Sequence, residues 1–155
     1  MTISNQQVEQ VAPMFDDGIR ESDKSTRRLR VLLAEDNVVN QKLAARILKK
    51  MGHEVVIVEN GELAVAQLQK GRFDLVLMDI HMPEMDGYAA TEAIRRWESL
   101  RGGHIPIIAV TANKMAADRD KCLTKGMDGY VAKPISAQAV SRAIQLAFNT
   151  IAEHP

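Results

Sequence analysis

From Arg30 onward, short apolar runs rich in Val, Ile and Leu alternate with stretches of helical period, and few folds accept that alternation. The runs at 30–35, 54–58, 73–78, 105–110 and 128–132 have the composition of parallel strands buried on both faces. The first intervening stretch carries Val39, Leu43, Ile47 and Met51 at four-residue steps, with Asn37 as N-cap and Gly52 just past its end. The second runs from a cap at Asn60 to Gly71. The third turns Tyr88, Ile94 and Trp97 to the sheet and pairs Glu92 with Arg96 on its wet side. The fourth spans Asn113 to Lys125 and ends at Gly126; the fifth starts at Ser136 and buries Val140, Ile144, Ala147, Phe148 and Ile151. Five such units predict an α/β fold, a doubly wound five-stranded parallel sheet with helices on both faces. The natural strand order is the flavodoxin-like 2-1-3-4-5, with a switch point between the first and third strands.

A chain of 155 residues has room for one such domain, and 46% apolar residues supply its core. Residues 1–28 differ. Pro13 and Asp16-Asp17-Gly18 interrupt a helix-like spacing, and "ESDKSTRR" has the composition of a solvated linker. The expected organisation is therefore a linker over 1–28, a folded domain over 29–151 and a tail over 152–155. The 20 basic and 20 acidic residues cancel, so no global field draws the chain to nucleic acid or to an anionic membrane. The single Cys122 excludes an intrachain disulfide framework. No apolar stretch reaches the roughly 18 residues of a spanning helix, and the polar start is no signal peptide. The expectation is a cytoplasmic domain, monomeric or weakly dimeric.

Four of the five runs end in chemistry. Glu35 and Asp36 follow the first, Asp79 the third, Thr111 the fourth and Lys133 the fifth. Parallel strands would bring these ends to one edge, where open α/β sheets bind ligands. Alone, each residue has an ordinary reading as a turn, cap or surface residue. Together, three carboxylates would repel one another and raise at least one pKa unless a cation compensates. With Lys133 they sum to −2, which Mg²⁺ (or Mn²⁺) would neutralise using oxygen ligands, the His81 backbone carbonyl among them. Asp79, at a strand tip before Pro83 and Gly87, is placed to act as a nucleophile and form an aspartyl-phosphate. Lys133 and Thr111 would meet the phosphoryl oxygens. Lys133 must turn its ammonium back over the crevice, and a cis bond to Pro134 is expected there.

Other chemistries find no support. There is no G-x-G-x-x-G or Walker pattern after the first strand, and the four histidines lack zinc spacing. Cys122 reads as packing. The pairs Lys49-Lys50 and Arg95-Arg96 read as solvated helix ends.

"LLAEDNVVN", "DLVLMDIHMPEMDG", "IIAVTAN" and "GMDGYVAKPI" resemble, in order and spacing, the receiver domain of two-component response regulators over residues 29–151. The resemblance implies that Asp79 accepts a phosphoryl group from a phosphohistidine. Glu35, Asp36, Asp79 and the His81 carbonyl would hold Mg²⁺, and Thr111 and Lys133 would contact the phosphoryl group. It also implies a Thr111–Tyr130 switch. His81 and Asn113 flank the path attacking water must take and are expected to tune the phosphoryl lifetime. The wording is most similar to receivers of hybrid sensor histidine kinases, which exchange phosphoryl groups with a kinase or a histidine-phosphotransfer domain. A stand-alone response regulator is the alternative. A haloacid-dehalogenase-type phosphatase also forms an aspartyl-phosphate, but needs a second Asp where this chain has His81.

Overall fold

In the computed structural model, residues 27–112 and 116–153 are described. The elements alternate strictly: β1 (Arg30–Ala34), α1 (Val38–Lys50), β2 (Glu54–Val58), α2 (Gly61–Lys70), β3 (Leu75–Asp79), α3 (Gly87–Arg101), β4 (Ile107–Thr111), α4 (Ala116–Thr124), β5 (Gly129–Ala132) and α5 (Ala137–Glu153). All neighbours pair in parallel, in the order β2-β1-β3-β4-β5. The five strands and their order are those expected from the sequence.

Successive strand residues feed two cores. On one face Leu32, Ala34, Val76, Met78, Ile107 and Ala109 pack with Ala64 and Leu68 of α2, Ala90 and Ile94 of α3, and Cys122 of α4. On the other, Val31, Leu33, Leu75, Leu77, Ile108 and Val110 pack with Ala44 and Leu48 of α1 and Val140, Ile144 and Ala147 of α5. The all-apolar strand composition follows from this double burial.

Several boundaries and faces differ from the expectation. β3 and β4 start and end later, so Asp79 and Thr111 are the last residues of their strands. Asp74 instead uses its side chain to accept from the Arg30 amide. Pro106, which has no N–H, precedes β4 and lends only its carbonyl, to the Val76 amide. In α1 the buried face is Ala44, Ala45 and Leu48, while Val39 and Leu43 lie exposed. Small residues let the helix sit close to the sheet, and the four-step stripe runs along its flank. Glu92 pairs with Lys125 across the gap to the end of α4, at 3.3 Å, where Arg96 was expected. In α5, Phe148 and Ile151 are half-buried. Asn113, the expected start of the fourth helix, lies outside the described residues.

Candidate functional site

β1 and β3 are neighbours whose helices leave on opposite faces, which opens a crevice at their carboxyl ends. Glu35 follows β1 there, with its backbone amide on the Val58 carbonyl at 3.0 Å. Its carbonyl accepts from the Gln41 side chain at 2.6 Å, and its carboxylate accepts from the Asn37 amide at 3.1 Å. Asn37 in turn caps α1 by accepting from Asn40. Asp79 is fixed by the last rung of the β3–β4 ladder, opposite Val110. One of its oxygens accepts from the His81 amide at 3.4 Å. The loop after it returns at once, because Gly87 donates to the Ile80 carbonyl at 2.8 Å. A Cβ at Gly87 would overlap the Asp79 carbonyl oxygen, so only glycine fits.

Glu35 and Asp79 are 3% and 2% exposed, whereas Asp36 lies open to solvent. Carboxylate oxygens of all three lie within 4.8 Å of one another. Lys133 bridges two of them, with Nζ 3.3 Å from Glu35 Oε1 and 3.3 Å from Asp79 Oδ2. Its backbone amide donates to the Thr111 carbonyl at 2.7 Å, and the Lys133–Pro134 bond that follows is cis. Thr111 is buried at the end of the neighbouring strand. The structure thus brings Glu35, Asp36, Asp79, Thr111 and Lys133 to one edge. His81 is exposed at the rim. Tyr130 is half-buried on β5, with the Arg119 guanidinium 5.8 Å from its ring centre.

Burial, reinforced by Glu35 and opposed by Lys133, pushes the Asp79 carboxyl up to about 7. Burial alone would lower Lys133, but the Asp79 and Glu35 carboxylates outweigh it and hold the ammonium firmly charged. One ammonium against three crowded carboxylates leaves the cluster electron-rich. Its donors are all hard oxygens, the set that suits Mg²⁺ and poorly suits a soft metal. The residues therefore fit a divalent cation.

Two features escaped the sequence. Arg95, expected to be solvated, is 17% exposed and ties α3 to three places. It donates to the Gly126 and Ile105 carbonyls and pairs with Glu98 at 2.7 Å and Asp128 at 2.8 Å. Asn60, expected only as a cap, accepts from the Leu63 amide and also donates to Glu84 Oε1 at 2.9 Å. Neither link has a local pattern, since the partners lie 33 and 24 residues away.

The switch point of a doubly wound parallel sheet here gathers three carboxylates, a lysine and a threonine, an acidic cluster of the kind that could hold a divalent cation. The chain belongs to the response regulator receiver domain family, which matches it over residues 31–145. It is 48% identical over 121 residues to the sensor protein GacS of Pseudomonas syringae pv. syringae, covering 77% of this chain but only 13% of GacS. Further relatives are named hybrid signal transduction histidine kinases. Among solved structures, a receiver domain of a Pseudomonas aeruginosa PAO1 sensor histidine kinase, with magnesium coordinated in its active-site cleft, is 40% identical. The match has a TM-score of 0.70 and covers 79% of this chain and 99% of that one. The receiver domain of a Saccharomyces cerevisiae response regulator, solved with a histidine phosphotransfer signalling protein, is 29% identical with a TM-score of 0.73, covering 79% and 91%. The chain is thus a phosphorelay receiver domain of the kind found in hybrid histidine kinases. No helix among the described residues is long and apolar enough to cross a membrane.

Proposed function

We propose that Asp79 is the phosphoacceptor of this receiver, taking a phosphoryl group from a phosphohistidine on a histidine kinase or a histidine-phosphotransfer protein. The observation that carries this is the Lys133 ammonium, 3.3 Å from both Asp79 and Glu35 within a cluster of three carboxylates. An Asp79 oxygen attacks phosphorus, the phosphorus–nitrogen bond breaks, and the released imidazole keeps the bonding pair and takes up a proton. Lys133 and Thr111 stabilise the phosphoryl oxygens as charge moves onto them. Glu35, Asp36, Asp79 and the His81 carbonyl would hold Mg²⁺, which supplies charge neutralisation for the entering group. His81, exposed at the rim, and Asn113 tune hydrolysis, and Thr111 and Tyr130 report the phosphorylated state. The same structure serves a hybrid kinase or a separate regulator; the kinship to hybrid kinases favours the former, with residues 1–28 as its linker and 29–151 as the receiver unit.

A protein donor needs a surface beside the site, and α1 provides one. Val38 and Val39 are 58% and 73% exposed. Leu43 and Ala44 of the same helix line a recess with Pro134 and Ile135. An amphipathic helix of the donor fits such a face.

Acetyl phosphate with Mg²⁺ should add one acid-labile phosphoryl group per chain, and Asp79→Asn should abolish it. Val39→Asp should leave that labelling intact while slowing transfer from a phosphohistidine protein about tenfold or more. Labelling of Asp79→Asn at the parental level would refute the assignment. Equal transfer rates for Val39→Asp would move the docking face elsewhere.

A further inference from the structure

The segment after Asp79, residues 80–86, carries the His81 carbonyl and must hold one shape if the site is to hold one geometry. Bonds from Gly87 to the Ile80 carbonyl at 2.8 Å and from Met85 to the Pro83 carbonyl at 2.7 Å close the loop, but around a strained residue. Glu84 has φ +69°, a left-handed conformation unfavourable for a residue with a Cβ. Such strain persists only where surroundings over-determine it. Here they come from a distant element, the N-terminus of α2. The Gly61 amide donates to the Met85 carbonyl at 3.1 Å, and the Asn60 side-chain amide donates to Glu84 Oε1 at 2.9 Å. Asn60 is 8% exposed, and its Oδ1 is already committed to the Leu63 amide at 2.8 Å. Both ends of one side chain are therefore used, one to start α2 and the other to grip the loop. A Cβ at Gly61 would lie 2.5 Å from the Met85 carbonyl, so the approach is as close as a backbone permits.

We infer that Asn60 is a positioning residue for the phosphoryl and cation site: through Glu84 it clamps the loop that presents the His81 carbonyl beside Asp79. The inference rests on the proposed function for its consequence and on the Asn60–Glu84 bond for its mechanism. A helix cap alone needs only an acceptor, which Ser or Asp supplies as well as Asn. The clamp needs a donor at residue 60 facing an acceptor at residue 84.

Three proteins separate the two roles. Asn60→Ser keeps an acceptor for the cap, adds no charge and removes the donor. The double substitution Asn60→Asp with Glu84→Gln keeps both the cap and the net charge and reverses the bond. In Asn60→Ser, Mg²⁺ titration followed by amide shifts should show about tenfold weaker binding, with a melting temperature close to the parent's. The double variant should recover affinity to within about twofold of the parent. Parental affinity in Asn60→Ser, or no recovery in the double variant, would overturn the clamp. Hydrogen exchange in the metal-free protein gives a readout independent of phosphorylation. Amides of residues 80–86 should exchange faster in Asn60→Ser and return toward parental rates in the double variant. Unchanged exchange would sink the inference even if Asp79 labels normally; faster exchange would sustain it even if Asp79 does not.

Discussion

At the scale of single residues, the site is a balance among Asp79, Glu35 and Lys133. The Asp79 carboxyl, pushed up to about 7, holds its proton more tightly in the folded chain than in the unfolded one, where its pKa is about 3.9. Its contribution to stability is therefore full below about pH 4 and is lost as the pH rises to about 7. With metal chelated, the melting temperature of Asp79→Asn should gain on the parent across that window and the gain should level off above it. Thermal melts at half-unit pH steps measure this, and a flat difference would show that Asp79 is not desolvated as described. The identities of the five site residues were legible because each ends an apolar run. Their energetics were not: the 3.3 Å bridge from Lys133 to both carboxylates depends on the β4–β5 register, which pairs Thr111 with Ala132 and leaves Lys133 one residue beyond. The same holds for His53, whose Nδ1 accepts from the Leu29 amide at 3.0 Å and whose burial depresses its pKa. No spacing in the sequence announces that contact.

At the scale of elements, periodicity located all five helices, but not always the face they bury. In α1 the residues with the largest side chains suggested a stripe, whereas the sheet accepted Ala44, Ala45 and Leu48 and left Val39 outside. Close approach favoured the small residues, and the bulky ones became surface. In α3 a residue that looked solvated became a tie. Arg95 reaches the end of α4, the start of β5 and the turn into β4, among partners 9% and 10% exposed in their side chains. Replacing it with Met would leave Glu98 and Asp128 without their cation, although Glu98 keeps the Ile105 amide and Asp128 the Ile107 amide. Breaking one side of such an ion pair costs about 3 kcal/mol. The expected outcome for Arg95→Met is a loss of that size in urea unfolding, with Asp79 labelling preserved below the transition. A loss under about 1 kcal/mol would mark the network as no better than a surface pair.

At the scale of the whole molecule, the parallel sheet sets what can communicate with what. Thr111 lies opposite Ala132, and Ala109 opposite Tyr130, so a pull on the Thr111 hydroxyl acts one strand away from the aromatic ring. Phosphorylation would then shift the population of Tyr130 rotamers through its differential contacts. Beryllofluoride, as a phosphoryl mimic, should move amide NMR signals at Thr111, Tyr130 and along α4 as well as beside Asp79. Shifts confined to residues 79–87 would leave the acceptor role standing and remove the switch. Fold class was readable because every unit repeats the same run-and-helix pattern; the strand order was the natural order for such a fold rather than something the pattern encodes, and loop shape was not readable, because it is set between units. The Arg95 tie and the acidic site sit at opposite ends of the strands. One rim fastens the scaffold, and the other, open to solvent at Asp36 and His81, carries the acidic cluster. Substitutions at the acidic rim can therefore change what the site binds while leaving the fastening of the fold at the other rim untouched.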